Sequence, residues 1–297
     1  MIVARKLNKK YGKTRAIIDL DLHVEKGAIH GLIGPEASGK STVLRILSTL
    51  VRPDSGEVAI NNIPAGKGSE IRRITGYVPR TPHLPHDHTA RELVSFEASL
   101  HGIHDRNVID SIMKQNGLEA VADQSLDRFS PSMEKNVAFA MACVHNPLVL
   151  LLDEPMAGLD PVSQKGIREF LLASNKTVLL TGHDLDTVDG LCSSVTVLRR
   201  GSSIVNGEMA DLRQKIGKGA IEIKLCDAGQ TQNLLFEFQK SGKKATVSGE
   251  SIYVNYTNDS QIPCIIRIAT TTADIKDARP AKISIDDIFA KYLQAEK

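Results

Sequence analysis

Gly34-Pro35-Glu36-Ala37-Ser38-Gly39-Lys40-Ser41 follows the apolar run Ala28–Ile33 (AIHGLI) and opens Gly39–Leu50 (GKSTVLRILSTL). The eight residues fit G-x-x-x-x-G-K-[ST], a loop that joins a buried strand to a helix and wraps phosphate. In such a loop the backbone N–H groups and the helix start surround the β- and γ-phosphates. Lys40 supplies a positive charge, the Ser41 hydroxyl reaches Mg2+, and Thr42 follows in the same binding turn. The expectation is a nucleotide-binding protein that takes ATP with Mg2+.

Working outward, the predicted helix carries Val43, Leu44, Leu47 and Leu50 on one face. Thr89-Ala90-Arg91-Glu92 starts another helix, because Glu92 stands three residues after a Thr cap. From there to Val144 the pattern is wholly helical. LVLLL at 148–152, TVLLT at 177–181 and SVTVL at 194–198 lack polar alternation, as strands covered on both faces do. These runs predict an α/β fold with a parallel core and a helical insert over about residues 83–146.

The texture changes after a predicted helix, DLRQKIG, and the Gly217-Lys218-Gly219 punctuation. IEIKL (221–225) and SIYVNY (251–256) alternate as half-exposed strands, and LLFEF (234–238) lies in a helix between them. Ser284 caps a segment with Ile285, Ile288, Phe289, Tyr292 and Leu293 at helical spacing. We expect an ATPase domain over 1–216 and a small α+β accessory domain over 217–297.

The 297 residues are 41% hydrophobic and 24% charged, the balance of an ordinary globular chain. Lys and Arg number 37 against 35 Asp and Glu, a net of +2, so no global basic field draws in nucleic acid, and no nucleic-acid partner is expected. No stretch approaches the roughly 18 uninterrupted apolar residues of a membrane span. The N-terminus turns charged at once, unlike a signal peptide. Cys143, Cys192, Cys226 and Cys264 lie far apart without C-x-x-C, which fits reduced thiols in a cytoplasmic protein.

A phosphate loop needs an acidic partner, and LVLLLDEP supplies it. Asp153, at the end of a buried strand, suits Mg2+, and Glu154 beside it suits the orientation or deprotonation of an attacking water. With these motifs in order, residues 1 to about 215 resemble the ABC ATPases, the nucleotide-binding subunits of ABC transporters. The resemblance implies a P-loop NTPase fold: a RecA-like mixed-sheet core with an ABC helical subdomain. It implies that Tyr11, in YGKTRA, stacks on adenine; that Asp160, in GLDP, faces a partner subunit; and that His183, in LLTGHD, contacts the γ-phosphate.

Two family elements are altered. Where the family has glutamine after GYVP, this chain has Arg80, which has no acceptor for a cation yet can pair with phosphate. In place of the signature L-S-G-G-Q stands Phe129-Ser130-Pro131-Ser132-Met133. Ser130 and Pro131 still start a helix well. Pro131 lacks an N–H, however, Ser132 adds bulk, and Glu134 brings negative charge to the place that would meet a partner's ATP. Glu36 and Ala37 replace the usual Asn-Gly inside the phosphate loop. The resulting expectation is an asymmetric ATPase whose own loop is sound and whose offered signature is not: its second ABC subunit is either another copy, giving a homodimer with two impaired sites and slow turnover, or a paralogue with a normal signature, giving a heterodimer with one good site.

The end of the chain, KISIDDIFAKYL, resembles the closing helix of the drug-resistance branch that includes the daunorubicin exporter ATPase. That branch implies a separate integral membrane permease of the ABC-2 type, and a chain held at the inner face of the cell membrane through it. The leading expectation is therefore the ATP-hydrolysing subunit of an exporter. The alternatives are a regulatory ATP-binding module with little turnover and a soluble ABC ATPase acting on nucleic acid or ribosomes. His83, His86, His88, His101 and His104 cluster in sequence; their interleaved prolines suggest a solvated loop more than a metal site.

Overall fold

The computed structural model describes residues 1–183, 188, 190–211 and 219–281. Its contacts divide the chain into two units, Met1–Asn206 and Gly207–Lys297.

In the first unit, β1 (Ile2–Tyr11) and β2 (Thr14–Val24) form an antiparallel hairpin. β3 (Ile29–Ile33) leads into α1 (Lys40–Leu47). β4 (Ser55–Ile60) and β5 (Ile63–Pro64) join the hairpin in a sheet of order β2-β1-β4-β5. After α2 (Gly68–Ile74) and β6 (Thr75–Val78) come α3 (Ala90–Leu100), α4 (Arg106–Gln115) and α5 (Pro131–Cys143). β7 (Val149–Leu152), α6 (Pro161–Ala173), β8 (Thr177–Gly182), β9 (Ser194–Arg199) and β10 (Ser202–Glu208) follow. The main sheet has order β10-β9-β3-β8-β7-β6, with β9, β3, β8, β7 and β6 parallel. Only the two-residue turn Arg200–Gly201 joins β9 to β10, a link too short for a parallel crossover. The sheet is therefore mixed, and the fold class is the expected α/β P-loop architecture.

The capping signals work as their chemistry requires. Thr89 accepts from the Glu92 N–H while Glu92 accepts from the Thr89 N–H, closing a capping box on α3. Ser130 caps α5 with Pro131 in its first turn. The helix after the phosphate loop is shorter than expected. It ends at Leu47, Thr49 turns left-handed at φ 64°, and the Leu50 and Val51 N–H groups close back on the Arg45 carbonyl. Leu50 is consequently exposed and leaves the apolar face to Val43, Leu44 and Leu47. The β1-β2-β4-β5 sheet, absent from the sequence reading, packs Ile2, Leu7, Leu20, Leu22 and Ile60 into one core with α1 and the main sheet.

The second unit contains β11 (Gly219–Leu225), α7 (Thr231–Lys240), β12 (Ala245–Ser248), β13 (Ser251–Tyr256), α8 (Ile262–Thr272) and β14 (Ile275–Ala281). The antiparallel sheet has order β12-β13-β11-β14, a βαββαβ unit of split type. Ile221, Ile223, Leu234, Phe238, Ile252, Val254 and Ile265 form its core. The predicted helix 211–217, all but its first residue, and the closing segment 282–293 lie outside the described residues.

Two buried basic side chains of the first unit have readable consequences. His30, on β3, is buried between the Ser194 hydroxyl at 2.7 Å and the Thr196 hydroxyl at 2.9 Å. Burial, aided by His23, lowers its pKa from 6.5 to about 4. The unfolded chain therefore takes up the proton first. Stability is complete above about pH 6.5 and falls as the pH drops toward 4, by about 3 kcal/mol for a shift of this size. His145, lowered to about 4 by burial, has the same sign. Urea unfolding of His30→Gln between about pH 7 and about pH 5 should show a shallower pH dependence than the unaltered chain; an unchanged slope would remove His30 from this account.

Lys135 is buried on α5 and donates to the carbonyls of Glu154 at 2.6 Å and Ala157 at 3.0 Å, tying that helix to the turn after β7. Lys135→Ala strands those acceptors and should lower the unfolding free energy by about 1–3 kcal/mol in urea titrations. A neutral result would mean that the turn keeps its shape unaided.

Candidate functional site

All the predicted phosphate-site groups stand at the carboxyl ends of parallel strands. In register, Ile33 pairs with Gly182, Val78 with Leu152 and Leu152 with Leu180, so the residues that follow β3, β6, β7 and β8 emerge on one edge. An open α/β sheet binds its ligands there.

The phosphate loop is shaped by close packing. Gly39 caps α1 at φ 108°, and a Cβ there would lie 2.5 Å from the Ala16 carbonyl oxygen of β2. A Cβ on Gly34 would lie 2.3 Å from the Leu198 carbonyl oxygen. Ala37 takes the left-handed region at φ 58°, where the family's glycine would carry no strain. The Ser38 N–H bonds to the Pro35 carbonyl, and the Gly201 N–H reaches the Ser38 carbonyl. The Ser38 hydroxyl is buried without a partner, and Lys40 folds back to donate to the carbonyls of Gly34 (2.7 Å) and Pro35 (2.9 Å). Burial lowers the Lys40 pKa, and Glu154 and Asp153 oppose that shift. Ser41 and Thr42 open the helix beside it.

Asp153 and Glu154 are both buried. Thr181, on β8, donates its hydroxyl to Asp153 Oδ1 at 2.7 Å and accepts the Glu154 N–H at 2.8 Å. Glu154 has φ 49°, a conformation that costs a non-glycine residue on the order of 1 kcal/mol and persists only when its surroundings enforce it. Thr181 on its N–H and Lys135 on its carbonyl provide that enforcement. The Glu154 carboxylate points at His183, whose Nε2 is 2.7 Å from Oε1, and at Arg80, whose Nε is 2.9 Å from Oε2. Arg80 Nη2 also reaches Glu36 Oε1, in the phosphate loop, at 3.3 Å.

The structure thus brings Glu36, Lys40, Arg80, Asp153, Glu154 and His183 to one edge. Ser130, Ser132 and Asp160 form a second cluster. The Ser132 hydroxyl is 3.3 Å from Asp160 Oδ2, and Asp160 caps α6 by accepting from the Val162 and Ser163 N–H groups. The Ser163 hydroxyl and N–H hold the Asp160 carboxyl down at about 2. Tyr11 ends β1, half exposed, with the Lys9 ammonium 5.6 Å from its ring centroid. The histidines of the 83–104 segment do not converge. His86 faces Glu134, His88 faces Asp87, and His101 stacks on His145 with ring centroids 3.8 Å apart. Among the described residues no group of three or more metal-ligating side chains is placed to hold an ion.

The sequence reading passed over Thr181 and Lys135. Thr181 carried a faint signal, a hydroxyl at the polar end of an apolar strand, whereas Lys135 reads as an ordinary helix lysine. For nucleotide and Mg2+, the fit rests on the orphaned Ser38 hydroxyl, the cradle that a Cβ at Gly34 or Gly39 would fill, and the buried carboxylates of Asp153 and Glu154, whose charge acts on Lys40 at the helix start. Oxygen donors of this kind suit Mg2+.

Comparison with known proteins places the chain among ABC proteins. The family described as ABC transporter matches residues 17–157. Nod factor export ATP-binding protein I of Rhizobium sp. (strain N33) is 32% identical over 298 residues, covering 98% of this chain and 96% of the relative. A solved ATP-binding subunit of an ABC transporter superposes with a TM-score of 0.67 at 26% identity, covering 72% of this chain and 92% of its own. A dimeric ATP-binding cassette in a post-hydrolysis state, bound to ADP and Pi, superposes with a TM-score of 0.62 at 25% identity, covering 70% of this chain and 99% of its own. Among the described residues no helix is long and apolar enough to cross a membrane. A relative 32% identical over 98% of this chain settles the matter of kinship: this chain belongs to the family of ATP-binding subunits of ABC transporters.

Proposed function

We propose that the chain binds and hydrolyses ATP to power an ABC exporter, together with an integral membrane permease of the ABC-2 type and a second ABC subunit. The observation that carries this reading is Glu154. It is a buried carboxylate held in a left-handed turn, 2.7 Å from His183, on the same sheet edge as Lys40. In this reading the loop N–H groups of residues 34–42 and the Lys40 ammonium bind the polyphosphate, and Tyr11 stacks on adenine. Ser41 and Asp153 would hold Mg2+, which supplies charge neutralisation when bound. Glu154 orients the attacking water and accepts its proton at a carboxylate oxygen, while His183 fixes that carboxylate and senses the terminal phosphate. The relatives named for export, and the resemblance of 282–293 to the daunorubicin-exporter branch, support an exporter held at the inner membrane face through its permease. Recovery of the chain with such a permease from membranes, rather than with ribosomes or nucleic acid, tests the partner.

Two features favour slow turnover by the chain alone. Arg80 stands on the Glu154 carboxylate, and the start of α5 offers Pro131 and Ser132 where a partner's phosphate would need open backbone N–H groups. A regulatory module that closes on ATP with little hydrolysis is the second reading, and the same Arg80 contact favours it.

Glu154→Gln should keep nucleotide affinity while steady-state phosphate release falls by about 10²- to 10⁴-fold; parallel loss of binding and turnover would take the proton-accepting role away from Glu154. The purified chain should hydrolyse ATP slowly and gain on mixing with a paralogue bearing a glycine-rich signature, or on combining Arg80→Gln, Pro131→Gly and Ser132→Gly. Rapid turnover by the unaltered chain alone contradicts the asymmetric reading.

A further inference from the structure

Glu36 and Arg80 are each unfavourable for an ATP site taken singly. Glu36 places a full negative charge in the loop that must hold an anion, and Arg80 removes an acceptor from the neighbourhood of the metal. The structure shows them in contact, Arg80 Nη2 lying 3.3 Å from Glu36, with Nε on the same guanidinium 2.9 Å from Glu154. Arg80 therefore spans the gap between the phosphate loop and the turn that carries the water-activating carboxylate. A terminal phosphate seated in the loop and attacked by a water on Glu154 has to come between those same two elements.

We propose that Glu36 and Arg80 work as one exchangeable ion pair, in which Arg80 leaves the carboxylates for the polyphosphate and makes nucleotide binding largely independent of Mg2+. This rests on the nucleotide-binding reading above. The charges at the edge explain why. Among the described residues Glu36, Asp153 and Glu154 face Lys40, Lys135 and Arg80, with His183 against Glu154. Without Arg80, three carboxylates would stand against two lysines, one of them held on the backbone carbonyls of Glu154 and Ala157, and entry of a polyanion would need Mg2+ to offset the excess. With Arg80 present, a permanently charged group with five N–H donors in a planar fork is already in place, and such a fork suits phosphate oxygens. Its charge also repels a divalent ion at close range, so Arg80 takes over part of the metal's work instead of assisting it.

The Arg80–Glu36 contact is solvent-exposed, with side-chain exposures of 50% and 73%. Exposed pairs contribute little to folding stability. The effect belongs to ligand affinity and to its metal dependence, where the third charge arrives with the nucleotide.

The test measures the affinity of a fluorescent methylanthraniloyl-ATP for the full chain, with Mg2+ and with EDTA. It compares the unaltered protein with Arg80→Gln, Arg80→Lys, Glu36→Asn and the Glu36→Asn/Arg80→Gln double variant. For the unaltered chain, EDTA should change affinity by less than about threefold, a difference within the range of a single weak contact. Arg80→Gln should weaken metal-free binding by about tenfold to hundredfold and regain most of it with Mg2+, while Arg80→Lys keeps the metal independence in large part. Removing Glu36 as well should restore metal-free binding toward the unaltered value, because the charge that Arg80 offsets is then gone. A strict Mg2+ requirement in the unaltered chain, or fully additive effects of the two substitutions, overturns the proposal. Absence of probe binding by the unaltered chain, with or without metal, overturns the nucleotide reading itself. Binding that Lys40→Ala weakens and Arg80→Gln leaves unchanged keeps that reading and rejects this one.

Discussion

Charge inside a low-dielectric edge has to be compensated by neighbours, and this site is built on that constraint. Asp153 and Glu154 are both buried, as is Lys40, and each would carry a severe desolvation penalty alone. The parallel strands solve the problem by ending at one level, so that the cation after β3 and the carboxylates after β7 share their field. Thr181 supplies the remaining polar contact by donating to Asp153 and accepting from Glu154. Lys40 donates to loop carbonyls, while Arg80 and His183 lie against the Glu154 carboxylate, whose Oε2 is an ion-pair neighbour of Arg80 without a hydrogen bond of its own. A polyphosphate would give the cations Lys40 and Arg80 its own oxygens in place of these internal acceptors, with less change in desolvation than opening an unpaired site would require.

The same constraint explains the backbone. A left-handed glutamate at the end of a buried strand is unfavourable, yet it turns the carboxylate back over the sheet edge toward His183 instead of out into solvent. Lys135 makes this turn a property of the helical segment as well, since α5 grips the Glu154 and Ala157 carbonyls. Helix α5 begins at Ser130, and its second residue, Ser132, touches Asp160. Helix α5 thus links the Glu154 turn to the cluster that, in the proposed reading, faces a partner subunit. A displacement of α5 would be felt at Glu154 through one hydrogen bond, and at Ala157 through a second, with no intervening loop.

Much of this was readable in the sequence, for physical reasons that also mark where reading stops. The phosphate loop and the Asp153-Glu154 pair were legible because each is a local pattern with a local cause, a turn between strand and helix or a polar end to a buried strand. Ser130 and Thr89 were legible as caps because capping acts within three residues. The first sheet was not. β1 pairs with β2 through register shifts after Ala4, Leu7 and Lys9, and each bulge resets the alternation that marks a strand. Leu50 was misplaced because helical spacing continues in the sequence after Thr49 has ended the helix in space. Lys135 and Thr181 were invisible because their roles depend on which way α5 and β8 face, a tertiary fact. Arg80 and Glu36 stood out as the wrong residue types, but their contact spans 44 positions and has no local sign.

That contact changes how the departures from the family pattern should be weighed. Taken one at a time, Glu36, Arg80 and the altered signature all look like losses, and a chain that only lost function would have no reason to retain a buried Asp153, a clamped Glu154 and a histidine at 2.7 Å. Two of the departures cancel each other's charge within the chain's own site, whereas Pro131 and Ser132 are uncharged residues at the start of α5, where Ser132 finds its contact at Asp160. The alterations therefore separate into a compensated pair on the side that holds nucleotide and an uncompensated helix start on the side presented to a second subunit. The asymmetric division of labour proposed above thus draws its support from electrostatics inside one chain, before any property of a partner is invoked.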